Sequence, residues 1–598
     1  MISSGRRRLF LGLTFLGLLA TALAVAKASP GLPYGRSAGW VVALLALLAV
    51  FPALRLVREQ VLAKSLKTGD LLTMAPDRMP TKEGSVFIGQ GFAWTPDHAE
   101  RLYNAAALGI EPPQELQAKL GGNPLLHGLG ILDEKDLFME SSRLPQHVLI
   151  LGSPGWGKSR YLEFLQYQLI RQGDIVVVID PKGDKRLLNA MVDAAEKTGR
   201  SKDFRLISPP WSQASCAYNP LTNFSSPKDI ADRIMGIFPP GGGESEAFRG
   251  YQWGAVHAVA QAIAMADLPM TIVNVLRYVR NPSELFYQLV ERRFKDRLAS
   301  DGLQRAEQQY VKLVASGQME RRPELDDILA YANEDANYYA KMTGSLRPQL
   351  ERLAAGILRD ILSPDPGTVT KELVTWSSVI HQGQIVYFHL GSLHGEESAK
   401  ALGKMILLDF QTFIAKLYSY HPAVQNRRIA LIIDEAHHMI SKPFLNILAE
   451  GRGANIACIL ATQTTAQFEE AMGSKAAVNE VLTNCHALVH FQSRNPEECK
   501  AFCDLVGKRR MRTRGEAHRY EAGFFGAGLK NIDDFRAQYT QNFTWQDADL
   551  LPWWAIPQLP TFHYFARLGG RIIKARVPLL DPPRSAFAED LIEQGAAA

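Results

Sequence analysis

The segment Leu149–Leu165, LILGSPGWGKSRYLEFL, constrains the fold more than any other part of the chain. An apolar run enters a glycine-rich turn, and a helical pattern follows at once. Gly152, Gly157, Lys158 and Ser159 complete the pattern G-x-x-x-x-G-K-S, in which backbone N–H groups converge on an anion at a helix N-terminus. The alternative is a glycine-rich turn with an incidental lysine. The strand before the turn and the helix after it favour a phosphate-binding loop.

The same loop predicts a bound nucleoside triphosphate, namely ATP, with Mg²⁺. Lys158 would reach the β- and γ-phosphates, and the Ser159 hydroxyl would coordinate the metal. The predicted nucleotide-binding residues are Gly152, Ser153, Pro154, Gly155, Trp156, Gly157, Lys158, Ser159 and Arg160.

A second motif, RRIALIIDEAHH, ends an apolar strand in two acids. Asp434 would hold Mg²⁺, directly or through water, and Glu435 would polarise the water that attacks the γ-phosphate. The alternative is a pair of carboxylates that cap a helix. Together with the phosphate loop, the pair predicts ATP hydrolysis. His437 and His438 follow without the H-E-x-x-H spacing of a zinc site, and they are predicted to be structural.

Two further residues are predicted to act in hydrolysis. Gln463, in ILATQT, lies at the end of the next strand and could sense the γ-phosphate; alternatively it bonds only to backbone. Arg452, in LAEGRGANI, could reach the nucleotide of a neighbouring subunit and stabilise transition-state charge. Its alternative is a solvated cation at a helix end.

Runs such as DIVVVID and NIACILATQT show little alternation, which predicts a parallel sheet covered by helices on both faces. Between these runs, segments such as GAVHAVAQAIAMA have helical spacing. The predicted divisions are a transmembrane helical hairpin at 1–60, a linker region at 61–140, a nucleotide-binding domain at 141–224 and 377–585, an all-α insertion at 225–376, and a C-terminal tail at 586–598.

The N-terminal region predicts membrane attachment. Residues 9–26 and 37–54 carry no charge and approach the length of about 20 residues that spans a bilayer. Cations flank the two apolar stretches. Because positively charged flanks stay in the cytoplasm, both termini are expected there, with the hairpin in the bacterial inner membrane. The flanking cations are Arg6, Arg7, Arg8, Arg55, Arg58, Lys64 and Lys67. A twin-arginine export signal cleaved after Ala28 is the alternative for the first span.

Composition narrows the compartment but not the substrate. The net charge is +5 over 598 residues, so any nucleic-acid surface must be local. The five cysteines are scattered, which favours a reducing compartment over a disulfide framework. The densest basic run, Gly507–Arg519, holds six Lys or Arg and one acid. It could line a DNA channel, or it could be a solvated loop.

Several features occur in a fixed order along the chain: the apolar hairpin, GSPGWGKS, DPKGD, YNPL, the helical insertion, LIIDEAH and ILATQT. In this order they resemble a conjugative coupling protein of the TraD/TraG type. The resemblance spans nearly the whole chain. It implies a RecA-like P-loop NTPase that forms a homo-hexamer at the inner membrane. Such a motor receives relaxase-bound single-stranded DNA from the relaxosome and passes it to a type IV secretion channel. Lys182 and Asp184 match the family pattern without an assigned role.

Two other functions remain open from the residues. An FtsK-like translocase of double-stranded DNA usually has more membrane spans and a C-terminal winged helix. A docking scaffold that binds nucleotide with little turnover is disfavoured by the presence of Lys158 and Glu435. An ABC transporter is disfavoured because the chain shows no LSGGQ-like signature and too few spans.

Overall fold

The computed structural model describes residues 71–107, 114–129, 134–238, 244–298, 302–364, 371–391, 395–420, 427–522 and 535–582, with Thr21 and Leu44. The predicted transmembrane hairpin, apart from those two single residues, and the predicted tail at 586–598 lie outside the described residues. Within the described part of the chain, no helix combines the length and the apolar character that crossing a bilayer requires.

The core is an eleven-stranded sheet in the order β3-β2-β14-β13-β10-β4-β9-β8-β5-β7-β6. From β10 to β6 neighbouring strands are parallel, whereas β13 is antiparallel to both β10 and β14. The strands of the described residues are β1 (Thr73–Met74), β2 (Ser85–Ala93), β3 (Lys135–Glu140), β4 (Val148–Leu151), β5 (Ile175–Asp180), β6 (Phe204–Ile207), β7 (Ile385–His389), β8 (Ile429–Ile433), β9 (Ile456–Thr462), β10 (Ala487–His490), β11 (Lys508–Ala522), β12 (Phe535–Asp549), β13 (His563–Leu568), β14 (Arg571–Arg576) and β15 (Leu579–Leu580).

The centre of this sheet is apolar on both faces. Every residue of β4, β5, β8 and β9 is buried, as expected where helices cover a parallel sheet on either side. The predicted α/β fold is confirmed. The α-helices of the described residues are Pro96–Ala107, Gln114–Leu120, Pro124–Gly128, Lys158–Arg171, Lys185–Lys197, Pro227–Met235, Glu244–Met265, Ile272–Arg280, Pro282–Leu289, Leu303–Ala315, Pro323–Ala332, Ala336–Met342, Leu346–Ala354, Gly356–Leu362, Trp376–Gln382, Glu396–Tyr420, Leu445–Glu450, Thr465–Met472, Lys475–Asn484 and Pro496–Val506.

The region from 61 to 140, interpreted above as a linker, contributes two strands to this sheet. The buried strand β2 reads SVFIGQGFA, and its glycines obscure the strand pattern in the sequence. Gly89 lies so close to Arg576 that a Cβ there would stand 2.4 Å from the Arg576 carbonyl oxygen. The glycine is therefore required for strand packing rather than for a turn.

The described residues of 225–376 form helices and their connections. The first helix, Pro227–Met235, begins with a capping box between Ser226 and Asp229. A buried ion pair joins this helix to Glu396–Tyr420, with 3.1 Å between Arg233 Nη1 and Asp409 Oδ1.

Residues 91–135 and 506–561 cluster as a compact unit separate from the rest of the chain. Within it, Trp94 Nε1 donates to the Leu550 carbonyl oxygen at 2.8 Å. The strands β11 and β12 pair antiparallel as a two-stranded ribbon. The basic run Gly507–Arg519, for which a channel lining and a solvated loop were the alternatives, lies mainly in β11.

Candidate nucleotide-binding site

The glycine-rich turn that follows β4 is shaped by close packing. Gly152 has φ 151°, and a Cβ there would stand 2.6 Å from the Phe491 Cβ. Gly157 has φ 120°, and a Cβ there would stand 3.1 Å from Phe491 Cε1. The Ser153 N–H donates to the Gln492 carbonyl oxygen at 2.8 Å. Glycine is thus required at both ends of the turn, because the segment after β10 lies against it.

Lys158, at the start of the helix Lys158–Arg171, folds back over this turn. Its Nζ donates to the Gly152 carbonyl oxygen at 2.6 Å and to that of Ser153 at 3.4 Å. The residue is only 6% exposed. Burial lowers the pKa of Lys158, while the nearby carboxylates of Glu435 and Asp434 act in the opposite direction. The ammonium group is therefore held inside the turn, between backbone carbonyls and two acids.

Ser159 and Asp434, the two predicted metal ligands, lie side by side. The Ser159 hydroxyl donates to Asp434 Oδ2 at 3.3 Å, although the residues are 275 positions apart. They meet because β4 and β8 flank β9, so their C-terminal ends share one edge of the sheet.

Asp434 is buried, and burial raises its pKa to about 7, with Asp180 and Glu435 adding to the rise. A buried carboxylate beside a hydroxyl is an oxygen donor set that Mg²⁺ accepts when phosphates and water supply its other ligands. Within the described residues, no cluster of three or more His, Cys, Asp or Glu could hold a metal alone. As oxygen donors, the Ser159 hydroxyl and the Asp434 carboxylate fit a metal that is carried in with a nucleotide.

Glu435 and Gln463 are also in contact. Gln463 Nε2 donates to Glu435 Oε1 at 3.2 Å. Glu435 adopts φ 44° and ψ 51°, the left-handed region that favours glycine. Such a backbone costs on the order of 1–3 kcal/mol and persists only where its surroundings hold it, often at functional sites.

Arg452 and Arg160 have other settings. Arg452 is exposed in the short helical segment Gly451–Ala454, and among the described residues its side chain has no hydrogen bond or ion pair. Its action on a neighbouring subunit stays a prediction. Arg160 pairs with Glu163, with 2.7 Å between Arg160 Nη1 and Glu163 Oε2. A direct contact of Arg160 with nucleotide also stays a prediction.

Asp180, the first residue of DPKGD, organises the loop after β5. It is buried, and its carboxylate accepts the N–H groups of Gly183 and Asp184 at 2.8 and 2.5 Å and the Tyr387 hydroxyl at 2.7 Å. The sequence showed the motif but not this role. Asp184 caps the next helix by accepting the Arg186 N–H at 2.9 Å.

Glu498 is a site-supporting residue that sequence reasoning missed. Buried on the helix Pro496–Val506, it accepts the Thr465 N–H and the Ser493 hydroxyl, both at 3.0 Å. Burial raises the pKa of Glu498, and Lys158 partly offsets the rise. Ser493 lies in the segment that leads into the same helix, whereas Thr465 lies on another helix, so the contact between Thr465 and Glu498 is not visible in a local pattern.

A glycine-rich turn and an acidic strand end that meet at one edge of a parallel sheet define a P-loop nucleotide-binding protein. Residues 428–560 match the family described as the TraM recognition site of TraD and TraG. The predicted resemblance to conjugative coupling proteins of the TraD/TraG type is confirmed.

A solved structure shares the fold. The bacterial conjugative coupling protein TrwBdeltaN70, in its trigonal form with sulphate, has a TM-score of 0.50 and 16% identity, over 85% of this chain and 98% of that chain. Plasmid coupling protein TrwB in complex with ADP and Mg²⁺ has a TM-score of 0.49 and 15% identity, over 75% and 88% of the two chains. At such identities the likeness concerns the fold alone.

One curated relative is an uncharacterized protein of Mycoplasma pneumoniae, 40% identical over 62 residues, or 10% of this chain. The chain spans 51% of the length of that relative.

Proposed function

We propose that this protein is the ATP-hydrolysing coupling protein of a conjugation system, which recruits relaxase-bound single-stranded DNA and drives it into a type IV secretion channel. One observation carries the enzymatic part. The phosphate loop and the acidic strand end meet, with the Ser159 hydroxyl donating to Asp434 at 3.3 Å.

Ser159 and Asp434 are the residues that would hold Mg²⁺, which would supply positive charge to the phosphates. Lys158 leaves its carbonyl partners for the β- and γ-phosphates. Glu435 accepts a proton from the attacking water. Gln463 holds the Glu435 carboxylate, and Gln463 is also the residue that senses the γ-phosphate.

The proposal extends to the setting of the motor. The uncharged stretches at 9–26 and 37–54 support an anchor in the inner membrane, with the main body in the cytoplasm. The match of 428–560 to a TraM recognition site supports a partner in the relaxosome. A homo-hexameric ring and a secretion channel as partner follow from the same family resemblance.

The first residues of β11 support a nucleic-acid substrate. Lys508, Arg509 and Arg510 are all exposed, and Trp545, paired with Arg512 across the ribbon, is 61% exposed. Cations that meet phosphates and an aromatic ring on which bases stack are the two components of single-strand binding.

The test is the ATPase rate of the full-length protein with and without single-stranded DNA. Lys158→Ala and Glu435→Gln should each lower turnover by about 10²–10⁴-fold, and Glu435→Gln should still bind nucleotide. Lys197→Ala and Glu397→Gln, on exposed helix surfaces, are the matched controls.

Unchanged turnover in both site variants would refute the motor. Turnover near zero in the wild type, with nucleotide bound, would indicate a docking scaffold. Stronger stimulation by double-stranded DNA would favour an FtsK-like translocase.

Arg452→Ala tests the ring. An arginine that acts on the next subunit contributes about 10³–10⁵-fold to turnover in other NTPases. The variant should therefore bind nucleotide as the wild type does but hydrolyse it far more slowly. If its turnover equals that of the wild type under conditions where the protein assembles, the trans role is excluded.

A further inference from the structure

We propose that His437 is a positioning residue for Glu435: its ring, anchored to Thr462, sets the position of the carboxylate oxygen that receives the proton of the attacking water. This inference rests on the proposed ATPase function and assigns a role to a histidine that the motifs left as structural.

The Glu435 carboxylate is bounded by polar side chains on two sides. Gln463 Nε2 donates to Oε1 at 3.2 Å, and His437 Nδ1 lies 3.6 Å from Oε2. Oε2 is buried and has no hydrogen-bond partner among the described residues. One oxygen is therefore held by the strand end, while the other faces the ring and keeps its lone pairs for a water molecule.

The hydrogen-bond network assigns the proton of the ring to Nδ1. Gln467 Oε1 accepts the N–H groups of Gln463 and Thr464 at 3.2 and 3.3 Å, so it is the carbonyl oxygen of the amide. Thr462 Oγ1 lies 3.0 Å from the same oxygen and donates its only proton there. The Thr462 oxygen can then only accept from His437 Nδ1, 3.2 Å away.

The result is a closed ring of contacts, Glu435–Gln463–Gln467–Thr462–His437, that joins the acidic strand end to the end of β9. Since Glu435 sits in a strained backbone conformation, its side chain depends on such support. A displacement of the Glu435 carboxylate by about 1 Å can lower the rate of hydrolysis on the order of 10²-fold, because proton transfer requires hydrogen-bond distance.

The His437 imidazole is neutral at pH 7, which suits its positioning role. Burial lowers the pKa of His437 to about 4, with further lowering from His438, Lys400 and Lys158 and an opposing effect from Glu396. A positively charged imidazole beside Glu435 would reduce the basicity of the carboxylate. The neutral ring orients Glu435 without doing so.

The test compares three variants of the full-length protein. Asparagine places its amide N–H where Nδ1 lies, whereas glutamine places it near Nε2. We therefore expect His437→Ala and His437→Gln to lower kcat at least about tenfold with the Kd for nucleotide unchanged, and His437→Asn to stay within about threefold of the wild type. His438→Asn is the matched control, because the His438 ring lies 4.1 Å from the His437 ring at an interplanar angle of 36°, and among the described residues its side chain has no hydrogen bond to Glu435. Only the His438 backbone N–H donates to the Glu435 carbonyl oxygen, at 3.1 Å, and the substitution leaves that bond in place. We expect His438→Asn to stay within about threefold.

A second measurement separates positioning from folding. Adding His437→Ala to Glu435→Gln should lower the residual rate no further, because the carboxylate that the histidine positions is already gone. A kcat of His437→Ala within twofold of the wild type, or equal losses in the Asn and Ala variants, would overturn the inference. Intact turnover in Glu435→Gln itself would instead remove the proposed function.

Discussion

The cations of the nucleotide site and those of the ribbon show two ways of using positive charge. Lys158 is buried between carbonyl oxygens and the acids Asp434 and Glu435. Lys508 and Arg510 stand exposed on β11, across from Asp549 and Asp547 of β12. The buried cation is fixed and desolvated, so its interactions are strong and specific. The exposed cations are screened by salt and bind by their number rather than by their geometry.

Arg233 is the buried cation whose replacement should lower the free energy of unfolding most. It is 1% exposed, and besides Asp409 it donates to the Asn223 carbonyl oxygen at 2.7 Å and to Thr412 Oγ1 at 3.0 Å. Either Arg233→Met or Asp409→Leu should lower the free energy of unfolding by about 3–5 kcal/mol, because the remaining charge is left buried and unpaired. Chemical denaturation measures the change.

The double variant and an exposed pair sharpen this prediction. Arg233→Met with Asp409→Leu should be less destabilised than the sum of the single variants. Arg277 and Glu284 form an ion pair at the surface, and Arg277→Met should cost about 1 kcal/mol or less. Equal losses for Arg233→Met and Arg277→Met would contradict the distinction between buried and exposed cations.

A conservative exchange tests the nucleotide cation. Lys158→Arg keeps the charge but cannot fit a planar guanidinium into the space of a buried ammonium. We expect a loss of about 10²-fold in kcat/KM for ATP, a magnitude typical of a lost transition-state contact. Lys508→Arg, on the exposed strand, should change the same quantity by less than twofold. Similar kinetics for Lys158→Arg and the wild type would show that the turn does not select for lysine.

The cations of the ribbon should each have a smaller effect than the residues above. Replacing Lys508, Arg509 and Arg510 together by Ala should reduce the slope of log affinity for single-stranded DNA against log salt by about 2, at roughly 0.7 for each phosphate contact. ATP turnover without DNA should not change. An unaltered salt slope, measured by fluorescence anisotropy, would show that DNA does not bind this strand.

The contrast also explains which parts of the site could be predicted from sequence. The turn from Gly152 to Ser159 is local, since its glycines, lysine and serine are adjacent and lie between a strand and a helix. The Asp434–Glu435 pair was recognisable because it ends an apolar strand. Parallel strands bring their C-terminal ends to one edge, so the contact between Ser159 and Asp434 follows from the topology.

Other parts depend on packing that no local pattern records. Glu498 supports the site through Ser493 and through Thr465, which lies on another helix. Glycines interrupt the strand pattern of β2, and the close approach of the Arg576 backbone requires one of them, Gly89. The spacing of His437 and His438 predicts no zinc site, and the role proposed for His437 depends on the network around Thr462, which sequence spacing does not encode.

The central claim is that Ser159 and Asp434 share one metal ion bound with the triphosphate. Mn²⁺ in place of Mg²⁺ allows its direct measurement, by electron paramagnetic resonance titration of the ATP complex in the wild type, Ser159→Ala, Asp434→Asn and the double variant. Each single variant should weaken Mn²⁺ binding by at least about tenfold, because each removes one ligand of the ion, and the double variant should lose at least as much as either. Wild-type Mn²⁺ affinity in Asp434→Asn or in Ser159→Ala would contradict a shared site.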